Sequence, residues 1–209
     1  VPVFVRKDEW RDRVWNDKQI YCVSPRMNLK SVRRFALLGD DAAAEVFRKL
    51  GASFDRVSGV AEAIKKPART VVIAPRMKLD EAQWEDLAKF VDQGGKVLAL
   101  VRGDDLPLKG FRGVPLDDSG WSINAAYPRC SEHPVAKGLI YQDLRQWRQG
   151  TASEPWYVAS GVAKRPNQGN FRTLIDAGYG WEGGDGLCLA PMLEIPSGKG
   201  KAIFTQLHL

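Results

Sequence analysis

The side chains of this 209-residue chain that are equipped for chemistry cluster just after short apolar runs. VLALV leads directly into Arg102-Gly103-Asp104-Asp105, FALLG into Asp40, and TVVIAP into Arg76. If those runs are parallel strands, all of these residues fall at carboxyl ends, where open α/β sheets bind ligands. His133, Asp143 and Arg145 can join them from a later loop and from the turn DLRQW. Asp104 and Asp105 have the groups needed for acid–base hydrolysis. Neighbours on an irregular loop rarely face each other across a substrate, so a solvated turn with helix-capping aspartates is the favoured role. His133 precedes Pro134, and fixing an extended backbone by hydrogen bonding is favoured over general-base work, because no Ser, Thr or Cys is placed by sequence as its partner. Trp147, flanked by Arg145 and Arg148, has the means to stack on a sugar while guanidinium groups donate forked hydrogen bonds; the competing role is closing the core under the long loop. The expected ligand-binding set is therefore Asp40, Arg76, Arg102, Asp104, Asp105, His133, Arg145 and Trp147. No catalytic residue, metal site or cofactor is expected.

The elements that must position these residues follow from periodicity. FALLG reads as a buried parallel strand. Asp40 then stands at a helix N-cap, before Ala43, Val46, Phe47 and Leu50 at helical spacing. ASFDRV is a second strand and VAEAIKK a short helix closed by Pro67. TVVIAP is a third strand. Asp80 and Gln83 form a capping box ahead of Trp84, Leu87, Ala88 and Val91, and Gly94-Gly95 ends that helix before the strand KVLALV. This alternation predicts an α/β fold with a doubly wound, mostly parallel, flavodoxin-like sheet. Residues 103–132 read as a long loop with short candidate strands such as WSINAA, and DLRQW as one or two helical turns. WYVASGVAK, FRTLIDAGY, LCLAPMLEI and KAIFTQL make the C-terminal third β-rich, and PSGKG predicts a closing hairpin. Residues 1–30 are read as an N-terminal arm, with strand-like VPVFV and QIYCVS around a helical DEWRDRVWND; residues 31–209 are read as the α/β domain.

Composition narrows the function. The net charge of +6 comes from 31 basic and 25 acidic residues that are scattered, with no basic stripe, so nucleic acid is not an expected partner. No apolar run approaches the roughly 20 residues that cross a bilayer, so neither is a membrane. Cys22, Cys130 and Cys188 share no metal-ligand spacing, and an odd number argues against a full disulfide framework. The start VPVFVRKDEW has neither a signal-peptide plan nor an initiator Met, which points to a mature form or an excised domain.

The order of these motifs resembles a known family. FALLG plus helix, VVIAP plus helix and GGKVLALVRGDD resemble the first half of the class I glutamine amidotransferase-like fold. HPVAKGLIYQDLRQW and LEIPSGKGKAIFTQLHL resemble the amidotransferase-like modules at the C-terminal end of some large bacterial glycoside hydrolases. The β-galactosidase trimerisation domain and ThuA-like proteins are relatives with a similar His-Pro-x-x-x-Gly-Leu element. The likeness spans residues 34–209.

Active members of that family carry a Cys nucleophile on a tight turn directly after the strand matched by VLALV, where backbone N–H groups bind the oxyanion. Here the turn reads Leu100-Val101-Arg102-Gly103, and Val101 cannot attack a carbonyl. No His-x-Glu pair follows; His208 stands in the matching part of the chain, but after the final strand pattern. The resemblance thus implies a non-catalytic accessory domain, a pseudoenzyme, of a larger carbohydrate-active protein, acting in domain packing or oligomer assembly. The partners implied are the parent's other domains, a second copy of the chain, or a carbohydrate, in a bacterial periplasmic or extracellular setting. The alternatives are a sugar-binding module at the strand ends and a hydrolase of unfamiliar mechanism using His133 and the aspartates. Glycoside cleavage itself needs a barrel of about 250 residues and would fall to another domain.

Overall fold

Apolar runs of four residues, buried from both sides, make the centre of the fold. The computed structural model describes residues 32–145, 157–178 and 186–208, with only the backbone of Val3–Val5 and Lys18–Ile20 before them. Those two segments, β1 and β2, pair antiparallel in a small sheet of their own. The helix expected between them, with Trp10, Val14 and Trp15, lies outside the described residues, as do Cys22 and Trp147.

The main sheet begins with β3 (Phe35–Leu38), α1 (Asp41–Lys49), β4 (Phe54–Val57), α2 (Val60–Ala63), β5 (Thr70–Ile73), α3 (Glu81–Asp92) and β6 (Lys96–Ala99). It continues through β7 (Tyr127–Pro128), β8 (Arg172–Ala177), β9 (Leu189–Ser197) and β10 (Gly200–Thr205). The eight strands lie in the order β4-β3-β5-β6-β10-β9-β8-β7. The four pairs from β4 to β10 are parallel. The three pairs from β10 to β7 are antiparallel. The architecture is mixed α/β, one half of the sheet parallel and the other antiparallel. The closing hairpin joins the halves, because β10 pairs with β9 on one side and β6 on the other.

Helices cover both faces of the parallel half. Asp40 caps α1 by accepting from the Ala43 N–H at 2.8 Å, and Asp80 with Gln83 forms the capping box of α3. On one face α2 and α3 pack over β3, β5, β6 and β10, where Trp84, Phe111 and Phe204 contact one another with ring centroids 5.3 to 6.4 Å apart. On the other face α1 sits on β3 and β4 through Phe35, Phe47 and Phe54. Such aromatic contacts each add about 0.5–1.5 kcal/mol beyond buried area, so they fix where each helix lies.

Two expected strands are absent. WYVASGVAK forms only isolated bridges, from Ala159 to Ile123 and Leu207, from Ala163 to Asp118 and from Lys164 to Leu189. The cause is Gly161, whose φ of +56° breaks the pleat. WSINAA likewise contributes only the bridges at Ile123 and Ala125. The turn at DLRQW is a 3-10 segment, Tyr141–Leu144. A second core forms where these loops cover the antiparallel half, around Leu144, Val158, Leu174, Ile175 and Leu189.

Candidate functional site at the strand ends

β6 does not stop at a nucleophile. Past its end at Ala99 the chain runs on through Leu100 and Val101, both buried, and Val101, with no exposed surface, joins the core cluster that includes residues of α3. Arg102 is extended, and Gly103 turns the chain into the 3-10 segment Gly103–Asp105. Beside it, β10 runs parallel with Phe204 in register with Ala99. Carrying that register past both strand ends sets Leu207 alongside Arg102 and His208 alongside Gly103.

A third segment, residues 157–164, crosses over these ends. The Gly103 N–H donates to the Gly161 carbonyl at 3.0 Å, and the His208 N–H to the Val158 carbonyl at 2.9 Å. The Ser119 hydroxyl and N–H hold the Val162 carbonyl at 2.6 and 2.9 Å. A Cβ on Gly161 would stand 2.6 Å from Gly103 N and 3.0 Å from its Cα, so only glycine lets these backbones meet. This contact delivers Ser160: its Oγ lies 3.1 Å from His208 Nε2, sharing a hydrogen bond.

The electrostatics of the site are basic. His208, only 6% exposed, has its pKa pushed down to about 4 by burial, with the charge of Arg102 adding to the effect. Burial also lowers the pKa of Arg102, and the neighbouring Arg76 guanidinium lowers it further. A hydrogen-bonded Ser and His is the geometry of an activated nucleophile. A base with a pKa near 4 is, however, about 4 kcal/mol poorer as a proton acceptor than one poised at 7. The surroundings resist a new cation and favour an anion.

The structure divides the expected site residues into groups. Arg76, exposed and in the left-handed region at φ +68°, and Arg102 come together. Asp104 and Asp105 flank them on the 3-10 segment, exposed and half-buried. Asp40 is occupied as the α1 cap. Arg145 is elsewhere: its guanidinium lies 4.8 Å above the Tyr141 ring, which stacks on Tyr127 at 4.6 Å. Tyr127 belongs to β7, four strand spacings or roughly 19 Å from β6.

His133 is also elsewhere, buried against the sheet face. Its Nδ1 accepts from the Val135 N–H at 3.3 Å, which leaves Nε2 to donate to Glu194 Oε2 at 3.1 Å. Lys201 Nζ donates to the same oxygen at 2.6 Å. Burial pushes the Glu194 pKa up, but Lys201 and His133 together outweigh it and hold the carboxyl below its ordinary range. Both ring nitrogens of His133 are thus engaged in holding the loop to β9.

Sequence reasoning missed Ser160 and set His208 aside. The available signal was positional: QLHL directly follows the strand that lies beside VLALV.

No group of His, Cys, Asp and Glu among the described residues is arranged to hold a metal ion, and none of their helices is long and apolar enough to cross a membrane. Fold and site together define a mixed α/β domain with a basic, polar cluster at the ends of its parallel strands. The chain belongs to the DUF4350 family, a domain of unknown function, whose model matches residues 38–200. No curated protein matches it in sequence. Among solved structures it is similar to a ThuA-like protein from Bacteroides uniformis, with a TM-score of 0.50 and 12% identity over 83% of this chain and 80% of that one. It is also similar to part of a cold-adapted β-galactosidase from Rahnella sp. R3, with a TM-score of 0.47 and 14% identity over 83% of this chain and 28% of the enzyme. A similar match is to part of an exo-β-1,4-mannosidase from an Opitutaceae bacterium, with a TM-score of 0.44 and 11% identity over 85% and 31%.

Proposed function

We propose that this chain is a non-catalytic, amidotransferase-like accessory domain that works within a larger carbohydrate-active protein by packing against other domains or assembling copies. The observation that carries this reading is Val101. This residue, two past the end of β6, is apolar, fully buried and part of the core, so the position where a nucleophile would be exposed is used for packing instead. The parallel strand order, with β4 outside β3 and β5, β6 and β10 following on the other side, supports a flavodoxin-like ancestry. On this reading residues 31–209 are the domain and residues 1–30 its arm. Sedimentation velocity of the chain, alone and mixed with the neighbouring domains of its parent protein, tests the role: an oligomer or a stable complex is expected. A monomer that ignores those domains would overturn it, as would turnover in a screen of amides, esters and glycosides.

A second reading, a binding module for a small polar ligand at the strand ends, is favoured by the meeting of Arg76, Arg102, Ser160 and His208. The two readings are compatible: a domain without a nucleophile can still hold a ligand where its relatives would turn one over.

A further inference from the structure

Elsewhere in the molecule, several guanidinium groups find carboxylates. Arg34 reaches Asp55, Arg56 reaches Asp41, Arg112 reaches Asp92 and Glu85, and Arg129 reaches the buried Asp176. Arg102 breaks this pattern. It is partly buried, the parallel register of β5 and β6 carried past Ile73 and Ala99 sets Arg76 beside it, and neither has an ion-pair partner among the described residues. Asp104, Asp105 and Asp118 are close along the chain or across the Gly103 turn, yet none pairs with either arginine. Two like charges placed together repel each other, and the partly buried one, Arg102, also loses hydration. That arrangement is favourable when an anion stands between them.

Polar donors also lie at these strand ends. Ser160 is held by His208, and the next residue, Gly161, is bonded to Gly103, the residue after Arg102. Gln206, on the same end of β10, is fully buried; its Oε1 accepts from the Ala163 N–H, while its Nε2 has no hydrogen-bond partner among the described residues. A buried donor without an acceptor costs about 1–3 kcal/mol, and an oxygen-bearing ligand or a water it orders would remove that cost.

Resting on the ligand-binding reading, we infer that Arg76, Arg102 and Ser160 form a site for the oxyanion of a small molecule, a carboxylate or a phosphoryl group, with His208 positioning Ser160. Guanidinium forks match both groups in geometry and bind them by charge-assisted hydrogen bonds. The ligand class is then an acidic sugar or a sugar phosphate rather than a neutral sugar.

The test is calorimetric titration of the full chain with four probes: inorganic phosphate, glucose 6-phosphate, glucuronate and glucose. At least one of the three anions binds, and glucose binds weakly or not at all. Arg102→Ala and Arg76→Ala each weaken that anion about tenfold or more, the loss of one hydrogen bond to a charged group. Ser160→Ala weakens it by a smaller factor, and Arg165→Ala, whose guanidinium serves the Leu187 carbonyl, leaves it unchanged. Far-UV circular dichroism checks each variant; should Arg102→Ala not fold, the exposed Arg76→Ala decides. Anion binding that persists in these variants marks non-specific association and overturns the inference. Glucose binding lost in Arg102→Ala overturns the oxyanion but keeps the ligand-binding reading, and silence from all four probes overturns both.

Discussion

Gly161→Ala is the most direct probe of how the site is built. The native φ of +56° lies in the left-handed region, where a non-glycine residue costs about 1–2 kcal/mol. The added Cβ would also stand 2.6 Å from Gly103 N and 3.0 Å from Gly103 Cα. Both are backbone atoms, with no flexible side chain to swing aside, so the two segments must part. Such overpacking costs about 1–3 kcal/mol more. Gly138 is the internal control: its φ is +86°, but nothing lies within 4 Å of the added carbon. Gly138→Ala should therefore lose about 1 kcal/mol and Gly161→Ala about 3 kcal/mol. With a urea m-value of about 2 kcal/mol per molar, the midpoints fall by roughly 0.5 and 1.5 M. Parting the segments also moves Ser160 from His208 and opens the imidazole to water. The chain has two histidines, so His133→Gln in the same background assigns the remaining imidazole signal in an NMR titration. The His208 pKa should rise from about 4 toward 6.5. Equal losses in the two alanine variants, with an unmoved His208, would refute the account of the Gly103–Gly161 contact.

His208 should also make stability depend on pH. Its folded pKa of about 4 lies below the ordinary 6.5, so the folded state favours the neutral ring. That contribution is fully present above pH 6.5 and is lost as pH falls toward 4, by up to about 3 kcal/mol. Denaturation curves across this range should show the slope in the native chain, and His208→Gln should lack it; an identical slope in both would assign it to other groups. Lys201→Met should cost about 1–3 kcal/mol at pH 7, because it leaves the buried Glu194 with His133 alone, and Lys201 itself is 40% exposed. The loss should shrink in acid as Glu194 takes up a proton; an undiminished loss at pH 3 would mean that packing of the lysine stem, not charge, is what the substitution removes.

Where the fold depends on local pattern, the sequence is readable. DEAQWEDLAKFVDQ carries both cap residues and a helical stripe, and α3 forms with that capping box and with Trp84, Leu87, Ala88 and Val91 buried. PSGKG between apolar runs becomes the β9–β10 hairpin for the same reason. WYVASGVAK misleads because it contains small and apolar residues in a strand-like mixture. The folded segment buries Val158 with Ala159, then Val162 with Ala163: adjacent pairs, not alternate residues. A segment laid across strand ends needs no alternating faces, and Gly161 bends it between the two pairs. In the antiparallel half β8, β9, β10 and the closing hairpin are readable, but the remaining pairings are not. Those pairings, such as Tyr127 with Asp176 in β7 and β8, join residues far apart in the chain, with no turn between them to announce the partnership.

The site is legible only as far as strand ends can be located. Arg76 and Arg102 follow apolar runs, and parallel neighbours bring such positions together without further information. His208 requires knowing that the last strand lies beside β6, more than one hundred residues earlier, and Ser160 requires the glycine contact that no periodicity reveals. His133 shows the same limit from the opposite side, since its partner Glu194 comes from a strand that sequence spacing cannot assign to it. The buried Val101 bears on what a substitution there would mean. Its side chain is fully buried and belongs to the core cluster that also holds Leu87, Val91 and Phe204. A thiol at this position would share that burial, and burial in apolar surroundings raises a thiol's pKa and keeps it inert. On the accessory-domain reading, the burial of position 101, and not the identity of its side chain alone, keeps a nucleophile from this turn. The basic cluster at the strand ends stands on its own geometry, independent of any nucleophile.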